Sequence, residues 1–534
     1  MPFNFMIMKK TFNKFTIVLI LLSTAIGSCK KFGDTNIDPT RSSSLDPSLQ
    51  LSSVQLRFSG DLGINETLGL SMTMPLVQQL GGTWLNRNGQ KYIKNTTYLY
   101  FLWDNTYPTD ILNIVDAINR TTGVAKQTNL NAVLRIMKVY SFARLTDLYG
   151  DIPYSEAGKG FIDGVNRPKF DKQEDIYNDF FKELKECSAH LDASKDAVKG
   201  DLFYNGNISS WKKFANSLHL RLAMRLVKIN PAKAQEEVTA AFNAGVFTSN
   251  EDICMIKHLN IQNTYDDGRG NGVSGAFTQL EVPPRVTNTF IGKLRDTNDP
   301  RLTRMIKYYI DVNNKTFERL DITDELVPLI GYNGVSAKGY IWDDWMNTIT
   351  ITVPGVGEVA AENNDQKAQL ANFMIRNDAP FLHLTYAEVE LLLADFNFRF
   401  NKSLGGTVAE HYVKGMDAAI KQISLFPTAP TIPQDEINTF IRGNSLVPGR
   451  ELDMINTQLW IALLMNGPEA YANWRRTGYP VLVPSVTAES NSTTIPRRFE
   501  YPLSELEQNS VNLKQAVAGL GGVDDWNKRV WWDK

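Results

Sequence analysis

The sequence predicts a mainly α-helical protein, a scaffold of stacked helix pairs interrupted by a loop-rich, partly β insertion. Three observations carry this expectation. The stretch SSWKKFANSLHLRLAMRLVKI (209–229) places Trp211, Phe214, Leu218, Leu222 and Ile229 on one helical face and Leu220, Met224 and Val227 on the opposite one, so it needs neighbours on both sides. NAVLRIMKVYSFARLTDLY (131–149) sets Leu134, Met137, Leu145 and Leu148 on a stripe that Ile136, Tyr140 and Ala143 widen, which predicts a largely buried helix. From about 247 to 380 the helical period fades while Gly, Asn, Asp and Thr accumulate.

At the N-terminus, Lys9, Lys10 and Lys14 precede the short apolar run Phe15 to Ile26, the order of an export signal. A hydrocarbon layer of about 30 Å asks for about 20 apolar residues, so this run is too short for a retained membrane helix. No later stretch is long and apolar enough to cross a membrane. The end of the run, Ile26-Gly27-Ser28-Cys29, is similar to a bacterial lipobox, which predicts a signal over 1–28 and lipidation of Cys29. Residues 29–50, rich in Ser, Asp, Pro and Thr, read as a tether. The body then runs 51–534, with the helical scaffold at about 51–246 and 381–534 and a loop-rich ligand-binding region at about 247–380.

Further helices are expected at 108–120, 171–190, 232–245, 407–424, 434–443, 453–466 and 468–475. Thr385 and Glu388 have capping-box spacing ahead of YAEVELLLADFNF. No 34-residue consensus recurs, so helix pairs of the tetratricopeptide kind must be degenerate. TITITVPGVGEVA (348–360) alternates as a hairpin does.

Composition excludes several functions. With 56 basic and 58 acidic residues the net charge is −2, with no basic stripe for nucleic acid. Three cysteines give neither a disulfide framework nor a CxxC metal spacing. HExxH, GxSxG and P-loop motifs are absent. GNGVSG (270–275) has the glycine spacing of a dinucleotide fingerprint but not its flanking strand and helix, and reads as a flexible loop. No cofactor is required by any motif; YDDGRG (265–270) is acidic enough for Ca²⁺, without a specific calcium pattern. Asp343 and Asp344 are adjacent, point apart, and so do not make the facing carboxyl pair of a glycoside hydrolase.

Candidate ligand contacts are aromatic and polar residues in turn-rich stretches: Trp84, Arg87 and Tyr92 in QQLGGTWLNRNGQKY, and Tyr332, Tyr340, Trp342, Asp343 and Trp345 around YIWDDWMN. Such rings stack on the apolar face of a pyranose while Arg and Asp bond its hydroxyls. By contrast, Arg475 and Arg476 in NWRRTGYP (473–480) end a predicted helix, where cations complement its dipole, and are expected to hold the fold together.

Several stretches in order, among them YGDIPYSEA (149–157), WKKFANSLHLRLAMR (211–225), NDPRL (298–302), LTYAEVELLLAD (384–395), WIALLMNGPEAYANWRRTGYP (460–480) and IPRRFEYPLSELEQN (495–509), resemble the SusD/RagB family of Bacteroidetes outer-membrane lipoproteins, in its SusD-like branch. The resemblance implies a tetratricopeptide-like scaffold, no catalysis, a lipid anchor in the outer membrane facing the cell exterior, and a SusC-like TonB-dependent transporter as partner. It implies capture of oligosaccharides for import, with oligopeptides as the alternative cargo. A surface glycoside hydrolase and a helical-repeat adaptor for other proteins are the competing expectations.

Overall fold

A computed structural model describes residues 45–279, 283–311, 319–341, 343 and 345–534. The export signal, Cys29, the tether up to residue 44, Trp342 and Asp344 lie outside the described residues.

The scaffold is a succession of helices packed on their neighbours in the chain. Thr128–Tyr149 packs against Leu112–Thr121 and Gln173–His190, and Gln173–His190 leads on to Ile208–Met224 and then Pro231–Gly245. After the loop-rich region, Tyr386–Phe400 packs against Val408–Lys421 and Glu451–Ala462, and Glu451–Ala462 against Gly467–Thr477. The two-faced segment does join the halves: Ile208–Met224 meets Pro231–Gly245 and Gln173–His190 from its own half and Tyr386–Phe400 from the other. Trp211, Phe214 and Leu218 are buried, and so are Leu220, Met224 and Val227.

Caps define the helix starts. Asn207 accepts from the Ser210 N–H, and Asn230 accepts from Lys233 ahead of a Pro at the first helical position. Thr407 and Glu410 form a complete capping box. Thr385 supplies only half of the predicted one: its hydroxyl accepts from Glu388 N–H at 3.1 Å, but the Glu388 carboxylate turns inward to the buried Arg221, with Oε2 2.6 Å from Nη2. A buried guanidinium outcompetes the cap backbone, because an unpaired internal charge costs several kcal/mol, on the order of 3–5.

Periodicity did not predict the helices Pro47–Gly60, Thr96–Thr106, Gly272–Thr278, Asn288–Arg295 and Thr323–Ile330. Residues 47–50, read as tether, belong to the first of these; Leu51, Val54 and Phe58 enter the core, while buried Gln55 is held by Asp201 at 2.8 Å. GNGVSG is a buried helix start and not a flexible loop. Asn271 caps Val273 and Ser274, and a Cβ on Gly272 would lie 2.8 Å from Asp61 O, so glycine is required for backbone to pack on backbone.

The β structure consists of two-stranded antiparallel pairs. Cys254–Ile256 pairs with Phe381–Leu384, tying the entry of the loop-rich region to its exit. The predicted hairpin is Ile349–Val353 with Gly357–Ala361, in register from Ile349 opposite Ala361 to Val353 opposite Gly357. Leu80–Gly81 pairs with Arg285–Val286, which brings an N-terminal turn against the loop-rich region. Pro47–Lys534 forms one compact unit.

A candidate glycan platform

Three chain segments far apart in sequence meet at one surface: residues 82–92, residues 335–341 with 343, and residues 485–491. Gln90 makes the first junction. Its Oε1 accepts from Gly82 N–H at 2.9 Å, and its Nε2 donates to Ser336 O at 3.1 Å and Gly339 O at 2.6 Å. Gly82, at φ 91°, returns the contact by accepting from Ile341 N–H at 2.9 Å. Asn363 fixes the far end of that loop, donating to Ile341 O at 2.6 Å and accepting from Met346 N–H at 2.9 Å. The third segment is stitched on through Asn491 N–H to Tyr92 O, 2.8 Å, and Ser490 Oγ to Lys91 O, 2.5 Å.

On this frame Trp84 stands 69% exposed with the Arg87 guanidinium 4.4 Å from its ring centre. Arg87 Nη2 reaches Glu489 Oε1 at 3.3 Å. Tyr340 is half-buried, and the Nζ of buried Lys91 lies 3.8 Å from its ring centre. The same ammonium is 3.8 Å from Asp343 Oδ2 and 3.7 Å from Glu489 Oε2, while Asp343 also accepts from Tyr340 N–H at 2.8 Å. Burial raises the Tyr340 hydroxyl above its ordinary value; Arg87 pulls it back while Glu489 and Asp343 push it further up. Two cations and two carboxylates thus share one patch and cancel in charge, leaving exposed indole and phenol surface beside hydrogen-bonding groups. That combination suits a neutral polyol ring, with stacking on the aromatics and hydroxyls bonded at the rim.

Of the residues expected at the site, the structure brings Trp84, Arg87, Tyr340 and Asp343 together. Trp345 is two residues beyond Asp343 and 76% exposed. Tyr92 is a correction: it is fully buried, its hydroxyl accepting from Ser485 N–H at 2.8 Å, because a backbone at φ 53° turns the ring inward and a buried hydroxyl requires a partner. It positions the third segment and does not face a ligand. Tyr332 is half-buried and stacked on Tyr308 at 6.3 Å, with no contact to this patch among the described residues; burial raises its hydroxyl, Asp324 and Asp321 add to this and Arg304 opposes.

Sequence reasoning missed Gln90, Lys91 and Glu489. Lys91 lies beside Tyr92 in an already noted stretch, whereas Glu489 sits in a Ser/Thr/Asn-rich segment whose composition signals only a loop. In YDDGRG, the Asp267 carboxylate is taken by Arg269 at 2.7 Å, and among the described residues no group of three or more His, Cys, Asp or Glu side chains is placed to hold a metal ion. Among the described residues, no helix is long and apolar enough to cross a membrane.

Residues 39–502 match the model of the SusD-like family, described as starch-binding and associating with the outer membrane. No curated protein matches the chain. Among solved structures, a chitin-binding protein is 38% identical with a TM-score of 0.79, covering 92% of this chain and 100% of its own. A SusD-like protein of Bacteroidetes AC2a is 32% identical with a TM-score of 0.84 over the same shares, 92% and 100%. A chitin-binding SusD homologue from Flavobacterium johnsoniae, 24% identical with a TM-score of 0.69 over 91% of this chain and 98% of its own, shares the fold.

Proposed function

Since this chain belongs to the SusD-like family of outer-membrane-associated proteins, we propose that it is a non-catalytic, lipid-anchored glycan-binding protein that captures oligosaccharides and hands them to a SusC-like TonB-dependent transporter. The observation that carries the reading is the Trp84–Tyr340 platform, one exposed and one half-buried aromatic ring flanked by Arg87, Lys91, Asp343 and Glu489, two charges of each sign. A neutral, polar and aromatic surface favours an uncharged sugar chain. The 38% identical relative is a chitin-binding protein, which makes N-acetylglucosamine oligomers the first ligands to test. Anchoring is supported by the lipobox at Cys29, and the transporter and outward orientation by the family resemblance.

Titration calorimetry with N-acetylglucosamine oligomers and a panel of other neutral oligosaccharides tests this. Saturable binding without product release is expected, weakened at least about tenfold by Trp84→Ala through loss of ring stacking. Unchanged affinity in both Trp84→Ala and Tyr340→Ala would remove the platform as the site.

A further inference from the structure

A cavity of about 320 Å³ lies among residues that the platform does not use. Phe277, Pro283 and Phe373 form apolar wall, and Arg319, Arg376 and Asn377 bring polar groups to it. Its size sits at the small end of ligand pockets, about 300–1,000 Å³, which suits one compact molecule and not a chain laid along an open surface.

The charges around it are unbalanced. Arg376 is matched by Asp378, with paired bonds of 2.7 and 2.8 Å. Arg319 has no carboxylate partner among the described residues: its Nη1 donates to the side-chain oxygen of Gln369, and its guanidinium lies 5.1 Å from the centre of the Tyr309 ring. Buried Arg285, which does not line the cavity but feels the Arg319 charge, is bonded to neutral oxygens, Pro283 O at 2.5 Å and Asn364 Oδ1 at 2.5 Å, and its Nε has no hydrogen-bond partner among the described residues. Burial and the neighbouring Arg319 pull Arg285 down to about 9, with Asp365 opposing; Asp311 and Tyr309 act on Arg319 in the opposing sense too. Asp365 itself accepts from Glu362 N–H at 2.9 Å. Desolvated cations are ordinarily paired, so this pocket has capacity for an anion. Asn377 Oδ1, buried and without a hydrogen-bond partner among the described residues, adds an acceptor at the same cavity.

We propose that this cavity is a second binding site that takes a carboxylate-bearing monosaccharide, a hexuronate, with Arg319 holding the carboxylate and Asn377 Oδ1 accepting from a ring hydroxyl. The choice of a sugar acid over a peptide carboxylate rests on the glycan reading above; the anion preference rests on the arginines alone.

Full-chain protein is titrated with glucuronate, its neutral methyl ester and N-acetylalanine. Glucuronate is expected to bind saturably, and the ester at least about tenfold more weakly, as a charge-assisted bidentate contact is lost. Arg319→Gln and Asn377→Asp, the latter adding a repelling charge, are each expected to weaken glucuronate at least about tenfold with the thermal melt unchanged. If Arg319→Gln does not fold, Asn377→Asp and the acid–ester comparison still decide. Equal affinity for acid and ester, no glucuronate binding, or glucuronate affinity unchanged in both variants would overturn the proposal. Binding of N-acetylalanine with no glucuronate binding would overturn the sugar assignment. Because neutral oligomers report the platform and glucuronate reports the pocket, failure of one reading is distinguishable from failure of the other.

Discussion

Arg476 and Asp395 form an ion pair at 3.0 Å in which both side chains are fully buried. Arg476 Nη2 also donates to Asn473 Oδ1 at 2.7 Å and Asn456 Oδ1 at 3.1 Å, so the end of helix Gly467–Thr477 is pinned to Glu451–Ala462 and Tyr386–Phe400. Burial alone would raise the Asp395 carboxyl, but Arg476 and Arg399 hold it down at about 2. Its neighbour Arg475 donates from Nη1 to Asp147 O at 2.6 Å and Arg497 O at 3.0 Å, tying the same helix end to two other parts of the scaffold.

Removing one partner leaves the other charge buried and unpaired. Arg476→Ala is therefore expected to cost about 3–5 kcal/mol in urea unfolding. A loss below about 1 kcal/mol, the range of an exposed pair, would contradict the buried geometry.

Lys91 sets the platform from beneath. Lys91→Met should free the Tyr340 ring and leave Asp343 and Glu489 without their shared ammonium, weakening oligosaccharide binding several-fold, in line with about 0.5–2 kcal/mol for a cation over an aromatic face. Lys91→Arg should restore most of it. Calorimetry of both variants checks this; equal binding by the Met variant and the native protein would show that Lys91 has no positioning role.

Acid should destabilise the scaffold through Glu237. Burial raises its carboxyl, but His219 Nε2 at 2.7 Å, Lys185 Nζ at 2.7 Å and Lys233 Nζ at 2.6 Å outweigh burial and hold it at about 2. Because the folded value lies below the ordinary 4.5, this contribution is complete above that value and is lost as pH falls toward 2. Buried His219, pulled below 6.5 by desolvation, acts in the same direction at higher pH, since the unfolded chain takes up its proton first. Urea midpoints for the native protein and Glu237→Gln, measured between about pH 5 and 3, should show a shallower fall in the variant; parallel curves would refute the linkage.

Cys29→Ala is expected to move the protein out of the membrane fraction, because no lipid can then be attached at the lipobox. Retention in membranes, together with the absence of a lipid mass on the native N-terminus, would overturn the anchoring proposal.

Much of the scaffold was legible because burial imposes a helical period on the residues that face it. Trp211, Phe214 and Leu218 on one side of Ile208–Met224 and Leu220 and Met224 on the other announced a helix packed from two directions, which is how it sits. The exposure of Trp84 was legible too, since an aromatic in a turn-rich stretch has no helical stripe to absorb it, whereas Tyr340 is half-buried. What escaped was decided by partners distant in the chain. Nothing local says that Tyr92 turns inward to Ser485, that Glu388 abandons its cap for Arg221, or that Lys91 serves Asp343 and Glu489 at once.

By itself, then, the sequence determined a helical stack with a loop-rich insertion, the family, and which stretches carry aromatic rings, because hydrophobic period and composition are local quantities. Only the tertiary structure decided which of those rings meet, which polar groups are paired and which arginine lines a pocket with no carboxylate partner among the described residues. Hydrogen bonds and charges are satisfied between segments up to hundreds of residues apart, and no local pattern encodes which partner each will find.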